Sequence, residues 1–412
     1  MSNGSSRKES GPTILLRSGW QYANIGDIGH WMGGLSLIRR YLPEAHVILW
    51  PLFDLGDSIS LLEYFPNVEV VQGTIDANGD CNPWLTEAID RSDLLFHGSG
   101  AGISIATLQG WRSRTTKPYG CLGVSFTGGP YGSWFSEKLD RSVVDTLSGA
   151  AFLYTRETGT ERYLLEQGVN AAAYGFVPDA TFAFDTPDDE RANEFLRRCG
   201  LEKDRFIAVV PKLRIDPHWR FKAKKLPLDE IEQKEAVNER YRVYDNGFLC
   251  EAITAWVRET DGRALVCPEM TYEVEVGERF VVPYLSQDVA GHVTSMNRYW
   301  LPDEAFAVYR NARAVISIEM HSPILSVTAG TPSIHLRQPT DSPKGQMWND
   351  LGLGNWLFEL DSTEPSTVVD RLLEINSNYD DARQLADNAM RDAEARQRDA
   401  MMRIREVLGL VS

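Results

Sequence analysis

The chain is poor in the features that mark secreted, membrane-spanning or nucleic-acid-binding proteins. Its five cysteines are scattered, with no CxxC pair and no histidine at metal-ligand spacing, so they predict neither a disulfide framework nor a zinc site. No stretch approaches the roughly 18 apolar residues that span a bilayer, and the first eleven residues contain no apolar signal-peptide core. Its 42 Lys and Arg face 58 Asp and Glu, and the net charge of -16 repels a phosphate backbone. We expect a soluble cytoplasmic protein that binds no nucleic acid.

The 412 residues, 43% hydrophobic and 24% charged, suffice for two cored domains. Short β-branched and aromatic runs alternate with helical patterns, which is typical of an α/β fold with parallel sheets. A polar break, DTPDDE, precedes an amphipathic helix, and the alternation then resumes. We therefore predict a disordered tail (1–11), an N-terminal Rossmann-like domain (12–185), a linker helix (186–204), a second Rossmann-like domain (205–378) and a long C-terminal helix (379–412).

The expected strands are residues 13–17, 46–50, 68–72, 93–97, 120–127, 151–155, 206–210, 264–268, 279–282, 314–318 and 332–336. The expected helices are residues 33–41, 83–91, 135–148, 157–167, 247–259, 303–311, 323–329 and 379–408. The last of these is expected to pack across a neighbouring domain.

A glycine-rich segment, NIGDIGHWMGG, follows the first strand at residues 24–34. Its glycines allow a ligand to approach the backbone, although they could equally serve only a tight turn. The segment contains neither a dinucleotide fingerprint nor a Walker loop. Asp27 is its chemically capable residue, either as a base or as a helix cap.

Three further turns stand near strand ends. HGSGAG at 97–102 gives a second glycine-rich turn, and its two glycines Gly98 and Gly100 suggest the floor of a cleft, while His97 is better explained as a hydrogen-bonded structural residue. TGGPYG at 127–132 is interpreted as a turn. In FVPDATFAF, Asp179 is expected to cap an interdomain connection.

The most informative segment is AVISIEMHSPILSVTAGTPSIHL, residues 314–336. A buried strand leads to Glu319 and His321, with Ser322 suited to an N-cap and Pro323 to the first helical position. His321 would then lie at a strand end beside a helix N-terminus, where an imidazole can bind phosphate or act as a general acid. The alternative is a histidine that only caps the turn.

An irregular, basic loop is expected between residues 210 and 244, although the protein is acidic overall. It begins with Lys212 and Arg214, directly after a strand. A solvated charge run would explain it, and so would a binding role, because ligands of open α/β sheets bind at the carboxyl ends of strands.

In their order along residues 13–355, these motifs resemble those of the bacterial polysaccharide pyruvyl transferases. The resemblance rests on Asn24, Gly26 and Asp27, the turn at 98–102, Arg156 with Glu157, Pro178 with Asp179, His321 with Gly330 and Pro332, and Lys344. It implies a GT-B-like fold, two Rossmann-like domains facing a cleft, and transfer of a pyruvyl group from phosphoenolpyruvate to sugar hydroxyls as a ketal.

By this resemblance, His321 lies near the donor phosphate and is a candidate acid, and Asp27 is a candidate base on the acceptor side. The family usually has arginine where this chain has Glu319, and a carboxylate there opposes an anionic donor. Lys212, Arg214 and Arg156 are then the candidate cations. Glu319 and Ser322 complete the donor side, and Asn24, Gly26, Gly98 and Gly100 form the acceptor side of the cleft.

Two alternatives remain at this point: a glycosyltransferase that uses a nucleotide sugar, with Glu319 binding a hydroxyl, and a non-catalytic glycan- or nucleotide-binding relative. We expect no metal and no cofactor other than phosphoenolpyruvate as co-substrate. The expected partner is a glycan or lipid-linked glycan acceptor, which would bring the cytoplasmic protein to the inner face of the membrane during exopolysaccharide synthesis.

Overall fold

The computed structural model describes residues 11–126, 135, 138–220 and 226–410. The expected tail and the turn at 127–132 therefore lie outside the described residues, except for Gly11. Two parallel sheets organise the described chain, each flanked by helices. All five cysteines are free.

The first sheet has seven strands in the order β3-β2-β1-β4-β5-β6-β7. They are β1 (Thr13–Arg17), β2 (His46–Trp50), β3 (Glu69–Val70), β4 (Leu94–His97), β5 (Tyr119–Val124), β6 (Phe152–Thr155) and β7 (Tyr174–Phe176). Its helices are α1 (Ile25–Tyr41), α2 (Pro83–Arg91), α3 (Ile105–Arg114), α4 (Arg141–Ser148) and α5 (Thr158–Glu166).

The second sheet has six strands in the order β10-β9-β8-β11-β12-β13. They are β8 (Phe206–Val210), β9 (Arg263–Val266), β10 (Val293–Ser295), β11 (Ala314–Ser317), β12 (Ser333–Arg337) and β13 (Leu357–Glu359). The remaining helices are α6 (Asp189–Cys199), α7 (Leu228–Thr260), α8 (Glu273–Phe280), α9 (Gln287–Ala290), α10 (Pro302–Tyr309), α11 (His321–Thr328), α12 (Gln346–Asp350), α13 (Pro365–Ser377) and α14 (Tyr379–Val407).

In each sheet the strand order reverses beside the first strand, between β1 and β4 and between β8 and β11. Ligands of open α/β sheets bind at such switch points, outside the carboxyl ends of the strands. The two switch points carry the loops that follow β1, β4, β8 and β11, which include most of the predicted site residues.

Two predicted elements are wrong. Residues 279–282, predicted as a strand, form the end of α8 and the start of the short 3-10 helix Val282–Tyr284. Val276 and Phe280 of α8 are one turn apart and bury against Leu213 and Tyr272. The irregular loop expected to continue to residue 244 instead gives way to α7 at Leu228. Of the basic stretch, residues 221–225 lie outside the described chain.

Helix α14 packs across both halves, as predicted. Its buried residues form one stripe: Ala382, Ala386, Ala389 and Ala393 join the core behind the second sheet, and Ala400, Met401 and Ile404 join the core shared with the first. Between these groups, the Gln397 side chain donates a hydrogen bond to the carbonyl of Asp179 at 3.0 Å. The helix therefore fastens the two sheets to one another.

Candidate active site

A cavity of about 230 Å³ lies between the carboxyl ends of the two sheets. Its lining comes from both halves and includes Gln21, Asn24, Asp27, His30, Arg156, Lys212, Arg214, Asp216, Glu319, His321, Asp341, Ser342 and Lys344. A larger groove of about 610 Å³ lies between the end of α1 and β2, and none of the predicted site residues lines it. The smaller cavity is therefore the candidate active site.

The segment that opens α1 also joins the two halves. Asn24 caps the helix, because its side-chain oxygen accepts hydrogen bonds from the N–H groups of Gly26 (2.6 Å) and Asp27 (3.3 Å). The Ile25 N–H donates to the Glu269 carbonyl at 3.0 Å, and the Thr271 N–H donates to the Ala23 carbonyl at 3.0 Å. The cap is thus Asn24 and not Asp27, whose carboxylate accepts a hydrogen bond from Gln21.

Gly26 is required because His321 lies directly against it. A Cβ atom at position 26 would overlap the imidazole ring. The glycine thus allows a side chain of the second half to contact the first turn of α1, which explains its place in the motif. Farther along the same helix, a Cβ at Gly33 would overlap the Ala180 carbonyl, and one at Gly29 would lie close to the Thr181 side chain.

His321 is the first residue of α11, and Glu269 holds it in place. One Glu269 oxygen lies 3.1 Å from the His321 Nδ1 and 3.3 Å from its N–H, while the other accepts from the Ser322 N–H at 2.6 Å. Burial, with Lys344 nearby, lowers the pKa of His321 despite the carboxylate. Although burial opposes it, the contact with His321 brings the pKa of Glu269 down to about 2.

The neutral imidazole and the ionised carboxylate together define the tautomer. The proton between Nδ1 and the Glu269 oxygen belongs to Nδ1, so Nε2 carries the lone pair. That Nε2 is buried and has no hydrogen-bond partner. His321 is therefore arranged to accept a proton at Nε2.

A second buried cluster lies beneath His321, in the first half. The Asp179 carboxylate lies 2.9 Å from His30 Nδ1 and 3.1 Å from the Arg156 guanidinium, and it accepts a hydrogen bond from the Thr181 N–H at 2.9 Å. Although burial raises it, the neighbouring His30, His321 and Arg156 hold the pKa of Asp179 well below its usual range. Asp179 caps the short helix Ala180–Ala183, as predicted, and it also anchors Arg156.

His30, Asp179 and His321 could together face a metal ion, since their ligand-type atoms lie within 4.8 Å of one another. The Arg156 guanidinium already forms an ion pair with the Asp179 carboxylate, however, and its positive charge would repel a metal ion at this position. We interpret the cluster as a hydrogen-bonded support. The prediction that the site uses no metal stays a prediction.

Glu319 lies between two lysines. Its Oε1 is 3.6 Å from the Lys212 Nζ and its Oε2 is 3.6 Å from the Lys344 Nζ, while Asp341 binds Lys212 at 2.5 Å. Burial raises the pKa of Glu319 to about 8 even though both lysines oppose the rise. The carboxyl predicted to repel an anionic donor is therefore one that readily holds a proton.

Arg214 lines the cavity, but acidic partners surround its guanidinium. Asp245 accepts from it twice, at 2.8 and 2.9 Å, Asp361 binds it as well, and the Tyr241 ring lies 3.6 Å away. Its charge is thus balanced within the protein. Lys344, whose Nζ lies 3.6 Å from Glu319, is the more available cation, whereas Asp341 binds Lys212 at 2.5 Å.

The remaining predicted residues lie outside the cavity. Ser322 does not cap α11, because the helix begins at His321 with Met320 at the cap position, and the Ser322 hydroxyl accepts instead from Tyr309 at 3.0 Å. Gly98 and Gly100 pack against Ser18 and Trp20.

His97 is structural, as predicted. Its Nδ1 lies 2.9 Å from the Gly98 carbonyl, and its Nε2 accepts from the Ser104 N–H at 3.1 Å.

Sequence reasoning missed His30, Glu269, Asp341 and Ser342, all of which line the cavity or contact its residues. His30 stands three residues after Asp27, so helical spacing could have placed both on one face. Glu269 lies in a short connection after β9 without a recognisable motif, and nothing in the sequence pointed to it.

A family model described as polysaccharide pyruvyl transferase matches residues 24–338. No curated protein sequence matches the chain. Among the described residues, no helix is both long and apolar enough to cross a membrane.

Several solved structures are similar in fold. The S. aureus MnaA–UDP structure has 12% identity and a TM-score of 0.57, covering 98% of each chain. Anabaena Alr3699/HepE in complex with UDP has 12% identity and a TM-score of 0.55, covering 97% of this chain and 100% of that one. A putative UDP-N-acetylglucosamine 2-epimerase from Listeria monocytogenes has 13% identity and a TM-score of 0.59, covering 95% of each. These likenesses confirm the predicted GT-B-like fold.

Proposed function

Because the chain belongs to the polysaccharide pyruvyl transferase family, whose members are transferases, we propose that it moves a pyruvyl group from phosphoenolpyruvate to two hydroxyls of a sugar. The product is a ketal on a glycan or lipid-linked glycan of the cell surface. We place the reaction in the cytoplasm, with the acceptor bound against the first half and the donor against the second.

The observation that carries this proposal is the small cavity between the sheets, whose mixed lining includes buried donors without a partner. Lys212 and Lys344 face it from the second half, and the Arg156 Nη2 and Ser342 Oγ are buried lining groups without a hydrogen-bond partner. Unsatisfied buried donors favour an anionic ligand. A volume of about 230 Å³ is also below the roughly 300–1,000 Å³ of pockets for drug-sized ligands, which favours a small donor over a nucleotide sugar.

In this proposal, Lys212, Lys344 and Arg156 neutralise the phosphate and carboxylate of phosphoenolpyruvate. His321 lies at the donor, and Asp27 faces the acceptor hydroxyls. Asp179 and Glu269 position Arg156 and His321 by the contacts described above. Glu319 departs from the family's usual arginine and separates the two lysines.

The test is a thermal-shift measurement with phosphoenolpyruvate, UDP and UDP-glucose, since a ligand that binds only the folded state raises the melting temperature. We expect phosphoenolpyruvate alone to stabilise the protein. Lys344→Met should remove that stabilisation because it deletes a cation of the cavity. Lys203→Met, at an exposed position outside the cavity, is the matched control and should retain it.

A shift with UDP-glucose and none with phosphoenolpyruvate would overturn the proposal and favour a nucleotide-sugar donor. Equal stabilisation of the wild-type protein and Lys344→Met by phosphoenolpyruvate would show that the anion binds elsewhere.

A further inference from the structure

Glu319 faces the cavity together with His321, because the backbone after β11 alternates its side chains between core and cleft. Ile318 and Met320 are buried in the core behind the second sheet, whereas Glu319 and His321 line the cavity. The two ionisable groups are therefore presented side by side at one strand end, at the position proposed for the donor.

The surroundings of Glu319 do not satisfy a carboxylate. Its Oε1 is buried and has no hydrogen-bond partner, and both lysines stand at 3.6 Å, beyond direct hydrogen-bond distance. Lys212 is held more tightly by Asp341, at 2.5 Å. A buried charge that lacks hydrogen bonds is costly, so the neutral acid is favoured.

We propose that Glu319 is the general acid of the transfer, that it gives its proton to the methylene carbon of the donor, and that His321 Nε2 accepts the proton of the attacking hydroxyl. This inference rests on the proposed function, because it requires phosphoenolpyruvate in the cavity. The two roles follow from the surroundings of each group. Glu319 lacks hydrogen bonds that would stabilise its carboxylate, so it holds a proton that it can donate. His321 holds its only proton on Nδ1, so its Nε2 can accept one.

The step balances as follows. The electron pair of the donor's C=C bond forms a new C–H bond with the Glu319 proton, which turns the methylene into a methyl group and leaves C2 cationic. A sugar hydroxyl adds to C2 and gives its proton to His321 Nε2. The second hydroxyl then attacks C2 and closes the ketal ring, and phosphate leaves with the electrons of its C–O bond and takes up the proton held on His321 Nε2. The proton of the second hydroxyl passes to the Glu319 carboxylate, so both groups return to their starting states.

The charged groups that face Glu319 come from several elements. Burial raises the pKa of Glu319 most, Lys212 and Lys344 lower it, and Glu269 and Asp216 raise it further, to a net value of about 8. Asp341 and His321 line the same cavity. Burial, with Glu319 and Glu269 nearby, raises the pKa of Glu273 well above its usual range. A bound trianion adds negative charge, so donor binding should load Glu319 with a proton.

The experiment is a calorimetric titration of phosphoenolpyruvate into the full-length protein at pH 8.5, in two buffers of different ionisation enthalpy. Glu319 is then mostly ionised in the free protein, and we expect an uptake of roughly three quarters of a proton per bound donor. Glu319→Gln should bind about fourfold more tightly at pH 8.5, equally at pH 6.5, and without proton uptake.

Asp341→Asn is a second variant, because it removes another buried carboxylate of the cavity and frees Lys212 to approach Glu319, but it leaves the Glu319 carboxyl in place. It should still take up a proton on binding. In a phosphate-release assay with methyl glycosides that carry 1,2- and 1,3-diols, Glu319→Gln should lower kcat at least 100-fold without raising the KM for phosphoenolpyruvate.

Binding of phosphoenolpyruvate without proton uptake, or with an uptake that persists in Glu319→Gln, would overturn this inference and leave the proposed donor intact. Absence of any binding to the wild-type protein would overturn the proposed donor and this inference with it. Full turnover by Glu319→Gln would exclude Glu319 as the acid.

Discussion

At the scale of single residues, the contact between Gly26 and His321 makes the sharpest prediction. Gly26→Ala forces a methyl group into the imidazole, so we expect a loss of about 1–3 kcal/mol in unfolding free energy and loss of stabilisation by phosphoenolpyruvate. The measurement is urea unfolding with and without the ligand.

Gly34→Ala is the control for this change, since it alters a glycine in the same helix. Its added Cβ would meet only Leu16, at 3.7 Å, so we expect no loss and a gain of up to about 1 kcal/mol. If both variants behaved alike, the loss could not be assigned to the imidazole contact.

The predicted residues that line the cavity share a property: they stand where a strand ends and a recognisable turn begins. His321, Glu319, Asp27 and Lys212 were found in this way, and all line the cavity. Glu269 and Asp341 were not, because their importance comes from partners about 50 and 130 residues away in the chain, His321 and Lys212. Such long-range pairings leave no local pattern.

At the scale of elements, the start of α11 is capped from outside the helix. Glu269 accepts from the N–H groups of His321 and Ser322, and its pKa is lowered to about 2. A carboxyl whose pKa is depressed on folding adds stability above its unfolded pKa of about 4.5, and this stability is lost as the pH falls towards 2.

We therefore expect Glu269→Gln to be less stable than the wild-type protein by about 3 kcal/mol at pH 7, and by less than half of that at pH 3. Chemical denaturation at the two pH values measures this difference in unfolding free energy. Glu273→Gln is the matched control, because the raised pKa of Glu273 keeps its carboxyl neutral in the folded protein. The stability that Glu273→Gln loses relative to the wild-type protein should therefore not increase towards pH 7. A pH-independent gap for Glu269→Gln would contradict the cap.

The elements that sequence reasoning missed lack a clear periodic pattern. Helix α7 has 33 residues, but among its first seventeen only Asn238 is buried, so no apolar stripe marks them as helical. Strands β10 and β13 have three residues each, too few for an alternation to be recognised. Two elements were predicted nearly to the residue: α14, because its buried residues follow the helical period, and β1, because Ile14, Leu15 and Leu16 form a continuous apolar run.

At the scale of the whole molecule, the two halves share one core. A single cluster contains Leu16 of the first sheet, Phe206 of the second and Met401 of α14. Backbone hydrogen bonds at Ile25 and Thr271 cross the same boundary. We expect one cooperative unfolding transition, with equal calorimetric and van't Hoff enthalpies in scanning calorimetry. Two separate transitions would show that each half is stable alone.

The position of α14 has a consequence for how the protein is made. The first sheet is fully synthesised at Phe176, yet its shared core is completed by Ile404, close to the end of the chain. A ribosome adding roughly 5–20 residues per second needs about 10–50 s to cover that distance. During this interval the nascent first half exposes apolar residues that α14 covers in the folded protein, and we expect chaperones to bind this surface until α14 has been made.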